Sequence, residues 1–334
     1  MITPAFGLTA TERVLPKLAL DFTTATLDPR ITFSRTTGAS NPATYINSSG
    51  VITAATNNQP RFDYDPVTLL CKGLLIEESR TNSLLNSDAL STQSVTVTAA
   101  ARTLSFYGTG QVVLSGAHSA TVTGTGAYPT RTTLTFTPSA GTLTLTVTGT
   151  VQYAQLEAGA FATSYIPTTS AALTRNADVA VMTGTNFSDW FNASEGTFLA
   201  KSTVSSPTGT CYMLSANDGT TNTNIGIGQY SSHLGLAYVK DTTDQVVLSN
   251  QSFSVGSQIN EVIAYKRDNF ATCANAVLLK KDTGGTVPTV NRLDIGMWNA
   301  LYSVNASSCW NGTIQKIMYW NLRVTDNEVT SFSK

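Results

Sequence analysis

Two adjacent carboxylates, Glu77 and Glu78, are the first candidates for chemistry in this chain. Glycoside hydrolysis uses a pair of carboxyl groups that flank the scissile bond. Both glutamates end a short apolar run that predicts a strand, and consecutive residues of a strand point to opposite faces. They cannot flank one bond from there, so we expect them to anchor the N-terminal region. Asp63 and Asp65 precede Pro66 and are expected to form a turn.

Other catalytic arrangements find little support in the sequence. The chain has 2 histidines and no Gly-x-Ser-x-Gly elbow, which leaves little scope for a Ser-His-Asp triad. Its 4 cysteines form no Cys-x-x-Cys pair and have no nearby histidine, so no zinc site is expected. Cys273 and Cys309 could form a disulfide, whereas a reducing compartment would keep them as buried thiols. We expect a protein that is not an enzyme and needs no cofactor.

A loop with two aromatic residues is the best candidate for a binding site. It runs from residue 297 to residue 305, between two predicted strands, and carries Trp298, Asn299, Tyr302 and Asn305. Sugars present apolar faces that stack on aromatic rings, and polar side chains bond the sugar hydroxyls. The loop therefore indicates a glycan site. In the other interpretation, the two rings cover the end of a domain or contact a neighbouring subunit.

A second candidate is a cluster of oxygen ligands. Asp218, Asn222 and Asn224 carry the hard oxygen atoms that Ca²⁺ prefers. The surrounding segment, residues 216–224, is also rich in residues that form turns. The sequence leaves two interpretations open, a calcium site and the polar tip of a hairpin.

The composition indicates a folded protein with few charges. Lys and Arg number 20 against 21 Asp and Glu, with no basic tract, so nucleic acid is not an expected partner. Charged residues make up 12% of the 334 residues, about half of the roughly 25% typical of globular proteins. An apolar share of 41% argues against disorder. No run of about 18 apolar residues occurs, so we expect no membrane span.

The middle of the chain, residues 94–150, alternates Thr or Ser with Leu, Val or Phe. A period of two predicts strands with one dry and one wet face. Short candidate strands separated by turns predict a β-sandwich or jelly roll over residues 89–170, the Thr-rich module. Residues 171–334 predict a second β-sandwich, and residues 1–88 an irregular, partly extended region. The predicted fold class is all-β, with tandem β-sandwich (jelly-roll) modules.

Local signals predict how several segments begin and end. Asn311-Gly312 predicts a tight turn before the last long strand. The spacing from Thr325 to Glu328 is that of a capping box and predicts a short helix. The segment 79–82 predicts a polar turn, and residues 161–168, which include a proline, predict an extended linker.

Two pairs of short motifs lie on either side of the Thr-rich module. The first pair is residues 60–66, PRFDYDP, with residues 73–82, GLLIEESRTN. The second is residues 154–159, AQLEAG, with residues 163–168, TSYIPT. In content and order they resemble motifs of phage virion proteins described as tail fibre, head spike fibre or lectin-like structural proteins. The resemblance implies a structural protein displayed on the surface of a virion.

Four further landmarks lie in the last part of the chain. They are residues 195–198, EGTF; 293–296, LDIG; 310–314, WNGTI; and 325–328, TDNE. Together they resemble the landmarks of a concanavalin A-like, laminin-G-type sandwich, in which the last long strand is followed by the short helix. Because that family includes lectins, enzymes and plain structural modules, the fold does not determine the function.

Two functions follow from these resemblances. In the first, the protein is a fibre or spike that adheres to a glycan of the host surface. In the alternative, it decorates the capsid as a head fibre, with a structural role and no essential glycan binding. Residues 1–88 would attach it to other virion proteins, and a homotrimer is the expected assembly. Because the first 22 residues show no signal-peptide pattern, we expect assembly in the host bacterial cytoplasm and release in the virion at lysis.

Overall fold

The computed structural model describes residues 15–35, 43–204, 209–230, 233–299 and 308–334. Over these ranges the chain is built almost entirely of β-strands, which form two separate sandwiches. The all-β class and the tandem β-sandwiches predicted from the sequence are confirmed. No helix in these ranges is long and apolar enough to cross a bilayer.

Strand numbers follow the chain. The strands before the Thr-rich module are β1 (Leu18–Asp21), β2 (Thr32–Ser34), β3 (Ala43–Ile46), β4 (Ile52–Ala55), β5 (Phe62–Tyr64), β6 (Cys71–Ile76) and β7 (Arg80–Asn82). Those of the module are β8 (Gln93–Val97), β9 (Arg102–Tyr107), β10 (Gln111–Gly116), β11 (Ala120–Thr123), β12 (Thr132–Phe136), β13 (Gly141–Thr148) and β14 (Gln152–Ala158).

The later strands form most of the second sandwich. They are β15 (Leu173–Arg175), β16 (Val179–Thr183), β17 (Glu195–Thr203), β18 (Cys211–Asn217), β19 (Thr223–Tyr230), β20 (Leu234–Asp241), β21 (Thr243–Ser252), β22 (Gln258–Lys266), β23 (Phe270–Ala274), β24 (Val277–Asp282), β25 (Arg292–Ile295) and β26 (Gly312–Trp320). The helical elements are a 3-10 turn (Phe22–Thr24), α1 (Thr185–Ser188) and α2 (Asp326–Phe332).

The large sandwich consists of two antiparallel sheets around one core. Sheet A has the order β24-β23-β22-β17-β26-β6-β5, and β1 also pairs with β26. Sheet B has the order β2-β16-β25-β18-β19-β20-β21. The core between them includes Phe198 and Tyr319 from sheet A, Met213 and Ile225 from sheet B, and the fully buried Trp310. Each such aromatic or aliphatic side chain stabilises the fold by about 1.5–3 kcal/mol through its burial.

Strands from the first 88 residues complete both sheets of the large sandwich. β1 pairs with β26 so that Leu18 lies opposite Tyr319, and β6 pairs with β26 at Ile314. β2 pairs with β16 in sheet B. Leu18 and Leu20 are buried in the sandwich core. Residues predicted as an irregular attachment region therefore supply structural strands, through pairings too distant in sequence for a local pattern to reveal.

The Thr-rich module forms a sandwich of its own. One sheet has the order β11-β10-β13-β8 and the other the order β12-β9-β14. Along β13, Leu143 and Leu145 are buried, while Thr142 and Thr146 are exposed. The alternation of hydroxyl and apolar residues thus separates a wet from a dry face, as predicted from the sequence.

The module is connected to the large sandwich by a neck, formed by residues 77–82 and 154–175. Within it β7 pairs with β15. The side-chain amide of Asn82 donates to the carbonyls of Ala154, at 3.0 Å, and Ile166, at 2.9 Å. Ser164 donates to the Glu77 carboxylate from its backbone N–H, at 2.7 Å, and from its hydroxyl, at 2.6 Å. The motifs that flank the module in sequence therefore meet in space.

A buried network of ions lies against the neck. Glu77 Oε2 is 2.8 Å from both Arg61 Nη2 and Arg175 Nη1. Arg61 also pairs with Asp178, and Arg35 Nη1 lies 2.8 Å from the same carboxylate. Burial raises the pKa of Glu77, but the nearby Arg175 and Arg61 guanidinium groups lower it more, to about 2. Glu77 is an ionised structural anchor, as the strand geometry led us to expect.

Glu78 has different partners from its neighbour. Its carboxylate pairs with Arg80, 2.5 Å from Nε, and accepts from the side-chain amide of Asn311 at 2.9 Å. It thus ties the neck to the turn that precedes β26. The two adjacent carboxylates act on separate groups, and they do not converge on one site.

The C-terminal segment forms the short helix that its sequence predicts, and the cysteines are unpaired. Thr325 and Glu328 form a complete capping box at the start of α2, so the predicted short helix is confirmed. All 4 cysteines are free thiols. Cys309 packs in the core between the sheets, and Cys273 packs in a second cluster between sheet A and α2. The two side chains therefore lie on opposite sides of sheet A, which favours the thiol interpretation.

Several strands were missed by pattern alone. The predicted polar turn at residues 79–82 is largely strand β7. β23, with the sequence FATCA, was also not predicted. All five of its residues are buried, so it lacks the alternation that marks a half-buried strand.

Candidate functional site

A groove of about 490 Å³ opens on the outer face of sheet B. Along β20, Ala237 and Val239 point into the sandwich core, whereas Leu236 and Tyr238 line the groove. The groove is mainly aromatic and aliphatic, with a few polar groups at its edges. Its walls include Tyr212, Tyr230, Leu236, Tyr238, Asp244, Val247, Trp298 and Ser308.

Two glycines of β19 lie on the outer face of sheet B, next to β18. Ile225 and Ile227 are buried in the core, so Gly226 and Gly228 face the opposite side. A Cβ atom on Gly226 would lie 2.9 Å from the Tyr212 ring, and one on Gly228 would lie 1.9 Å from the carbonyl oxygen of Cys211. Any larger residue would collide at both places. The Ile-Gly alternation thus presents an aliphatic face to the core, while Gly226 leaves room for the Tyr212 ring and Gly228 for the backbone of β18.

Three aromatic rings meet on the wall of the groove. The ring centroids of Tyr212 and Trp298 are 5.8 Å apart, and those of Tyr238 and Trp298 are 6.2 Å apart. Tyr212 and Tyr238 are 6.5 Å apart. The rings of Tyr238 and Trp298 are nearly perpendicular, at 87°, which gives the site an apolar corner. A corner of this kind suits a ligand with flat apolar faces.

Two polar atoms beside the corner, Trp298 Nε1 and Ser308 Oγ, are buried without a hydrogen bond over the ranges that the structure describes. Most buried polar groups in folded proteins are bonded, so these two atoms are exceptions. The hydroxyl of Tyr238 donates to Asp244. Burial, with smaller effects of Tyr238 and Asp244, raises the pKa of Tyr212 well above its usual value. Tyr212 therefore stays neutral at physiological pH.

The loop that carries Trp298 is held from below. Asn217, fully buried, donates to the Trp298 carbonyl at 2.9 Å and to Asp294 at 2.8 Å. Lys240 Nζ lies 5.5 Å from the Trp298 ring centroid. The next residue, Asn299, is buried and donates to the Thr220 carbonyl at 2.8 Å.

Of the four residues predicted for a glycan site, the structure describes two. Trp298 lines the groove, and Asn299 lies beneath it as a support for the loop. Tyr302 and Asn305 lie outside the described residues. Tyr212, Tyr238 and Asp244 were not identified from the sequence. The only signal for them was the Ile-Gly alternation of β19, and it becomes informative only once the strand register is known.

The calcium candidates lie at the turn between β18 and β19. Asp218 accepts from the backbone N–H of Thr220 at 2.8 Å and from its hydroxyl at 2.7 Å. Asn224 is buried and accepts from Ser215, while Asn222 is exposed. Burial raises the pKa of Asp218, but bonds from Thr220 lower it more. In the ranges described, no three His, Cys, Asp or Glu side chains converge on a point.

A second cavity, of about 600 Å³, lies at one end of the large sandwich near Asp218 and Arg292. Of its two aromatic residues, Phe187 is 2% exposed, and Phe191 stacks on it with the ring centroids 4.6 Å apart. The guanidinium of Arg292 is already paired with Asp294. This cavity therefore offers fewer aromatic rings than the groove.

Comparisons with known proteins give structural neighbours only. No protein family and no curated sequence matches the chain. The CBM40 module of Ruminococcus gnavus IT-sialidase, solved with α2,6-sialyllactose, is 12% identical with a TM-score of 0.36, over 43% of this chain and 85% of the module. A Trypanosoma rangeli sialidase, solved with sialic acid, is 17% identical with a TM-score of 0.37, over 46% of this chain and 26% of the sialidase.

A SAP-like pentraxin from Limulus polyphemus is a third neighbour. It is 10% identical with a TM-score of 0.32, over 42% of this chain and 70% of the pentraxin. Similarity at this level carries no argument about ligand or activity. The assignment of a β-sandwich rests on the sheets and the core of the chain itself.

Proposed function

We propose that this chain is a non-enzymatic structural protein on the surface of a phage virion, and that its large sandwich binds a host-surface glycan in the groove of sheet B. The observation that carries the glycan proposal is the corner of three rings at Tyr212, Tyr238 and Trp298. The virion part of the proposal is supported by the sequence motifs that flank the Thr-rich module.

The groove has the features that sugar recognition needs. Aromatic faces give apolar contact with the ring C–H groups of a sugar, and the exposed carboxylate of Asp244 at the edge can accept its hydroxyls. The site is a groove on the outer face of sheet B, and its walls include Trp298 and Thr221, which lies in the turn before β19. A groove of about 490 Å³ is within the range typical of ligand sites.

The test is glycan-array binding by the full chain, followed by calorimetry on the strongest ligand. We expect Trp298→Ala to abolish measurable binding, because it removes the central ring of the corner. The melting temperature should fall by no more than a few degrees, since the side chain is only half-buried. Tyr64→Ala, which removes a ring from sheet A far from the groove, is the matched control and should bind normally.

Unchanged binding by the Trp298→Ala variant would exclude the groove as the site. Binding lost equally in the Tyr64→Ala control would point to a general effect on folding. Release of reducing sugar from a host polysaccharide would contradict the non-enzymatic part of the proposal.

Capsid decoration is the second candidate, and it requires a surface that attaches the chain to the particle. Val51, Val67, Leu69 and Leu70 are each at least 47% exposed, and a Cβ atom on Gly50 would lie 2.9 Å from Leu69. The turns β3–β4 and β5–β6 therefore touch and present four aliphatic side chains together, which we call the apolar tip. Such patches mark binding surfaces. In both candidates the apolar tip attaches the chain to another virion protein.

The assembly and location belong to the same proposal. A homotrimer in the virion is expected from the family resemblance, and gel filtration with light scattering measures it directly. Cryo-electron microscopy of intact particles separates the candidates, because tail density favours adhesion and capsid density favours decoration.

A further inference from the structure

We infer that the groove recognises an uncharged glycan, and that Asp244 determines this specificity by accepting sugar hydroxyls. The inference rests on the proposed function, since it names the class of glycan for the same groove.

Asp244 is the only charged side chain among the described residues that line the groove. One of its carboxylate oxygens accepts from the Tyr238 hydroxyl. The side chain is otherwise exposed, so the second oxygen faces solvent beside the aromatic corner. A carboxylate in this position can accept one or two hydroxyls of a sugar whose ring stacks on Tyr238 or Trp298.

An acidic sugar would find a poorer environment. Its carboxylate would approach Asp244, and like charges brought together oppose binding. No arginine lines the groove in the described ranges, so the two-pronged bond that guanidinium groups form with carboxylates is not offered there.

Lys240 is the cation that the described residues place against the Trp298 ring, and its position does not favour an anion. Its ammonium lies against the Trp298 ring. It also stands directly opposite Asp244 across the β20–β21 pair. Lys240 does not line the groove, so an anion bound there would meet the Asp244 carboxylate with no cation among the described lining residues.

Two variants that each remove one charge distinguish neutral from acidic glycans. Asp244→Asn would weaken the binding of a neutral glycan but strengthen the binding of an acidic one. The probes are lactose, maltotriose and chitotriose on one side, and sialyllactose and a galacturonate trimer on the other. For a neutral ligand, we expect Asp244→Asn to weaken binding about tenfold, the loss that one charge-assisted hydrogen bond produces. Lys240→Met keeps the hydrocarbon stem over Trp298 and should leave affinity within about twofold. Asp244 is exposed, so the amide variant should fold normally.

Each outcome supports or overturns either this inference or the proposed function. Binding of neutral probes that weakens in Asp244→Asn supports the inference. Preferential binding of acidic probes, stronger in Asp244→Asn and lost in Lys240→Met, would overturn it while leaving glycan binding in place. Failure of the wild-type chain to bind either set, or any member of the wider array, would overturn the proposed function itself.

Discussion

Glu261 is the most unusual single residue of the large sandwich. It is fully buried on β22, where Asn250 donates to one carboxylate oxygen at 2.7 Å. The other oxygen, Oε2, has no partner within the described part of the chain. Burial raises the pKa of Glu261 to about 8, more than the bonds from Asn250 and the Leu236 backbone lower it. The group is therefore mainly protonated at neutral pH.

This raised pKa predicts a pH-dependent stability. In the unfolded chain the carboxyl loses its proton near pH 4.5, whereas in the folded chain it keeps it up to about pH 8. Between these values the folded state binds more protons, so stability falls as pH rises. We expect Glu261→Gln to flatten this decline and to raise the melting temperature at pH 8. Calorimetry from pH 5 to 9 measures it, with Asp268→Asn, an exposed carboxylate, as the control.

A wild-type melting temperature that stays level or rises over this pH range would contradict the prediction. The same result would show that the sandwich core admits water or a counter-ion beside Glu261.

From residue types alone, the sequence identified one of the residues that line the groove. Trp298 was found because an aromatic residue in a polar loop suggests stacking. Asn299 carried the same expectation but lies beneath the loop, since an amide in a tight turn also bonds backbone carbonyls. Asp244 could not be found, because its meaning depends on its position opposite Lys240 and on the bond from Tyr238 across the β20–β21 pair.

At the level of elements, buried ion pairs hold the neck in place. Glu77, Arg61 and Arg175 come from three separate parts of the sequence and are all buried. Removing one partner from such a network leaves an uncompensated charge in a place that water does not reach. The network therefore ties the neck to the large sandwich.

We expect Glu77→Gln to lower the free energy of unfolding by about 3–5 kcal/mol, the cost of breaking a buried ion pair on one side. Lys281→Met is the matched control, because it breaks the half-exposed pair with Asp326 and should cost at most about 1 kcal/mol. Thermal unfolding followed by calorimetry compares the two. Equal, small losses in both variants would show that the network is not a structural anchor.

The alternating strands of the Thr-rich module were predictable, as were several fully buried strands such as β18 and β22, whereas β7 and β23 were missed. The Thr-rich strands show one buried face, so their period of two is visible in the sequence. β7 and β23 are short or buried on both faces, and they carry no such period. The order of strands in sheets A and B was not predictable, because it joins segments from opposite ends of the chain.

At the level of the whole molecule, the groove and the apolar tip are two separate surfaces. The groove lies on the outer face of sheet B, while the apolar tip is formed by turns next to β5, at the edge of sheet A. Asp65 accepts from the backbone N–H groups of Val67 and Thr68, so one turn of the tip is held rigid. Separate surfaces allow the protein to hold a particle and a glycan at the same time.

We expect the double variant Val67→Asp with Leu70→Asp to abolish attachment to particles that lack the protein. The side chains are 75% and 68% exposed, so the melting temperature should hardly change. Co-sedimentation with such particles measures attachment, and Val277→Asp, which is 51% exposed on β24, is the control. Attachment that survives the double variant would place the contact elsewhere.

The pairing of β1 with β26 also constrains how the chain acquires its fold. During synthesis, β1 leaves the ribosome long before its partner exists, so sheet A stays open while most of the protein is made. The Thr-rich module has no such delay, because β8 to β14 pair only among themselves. Non-local pairing is slow and leaves strand edges available for wrong partners. We therefore expect the module to fold first and sheet A to close last, which makes an incomplete chain prone to aggregation.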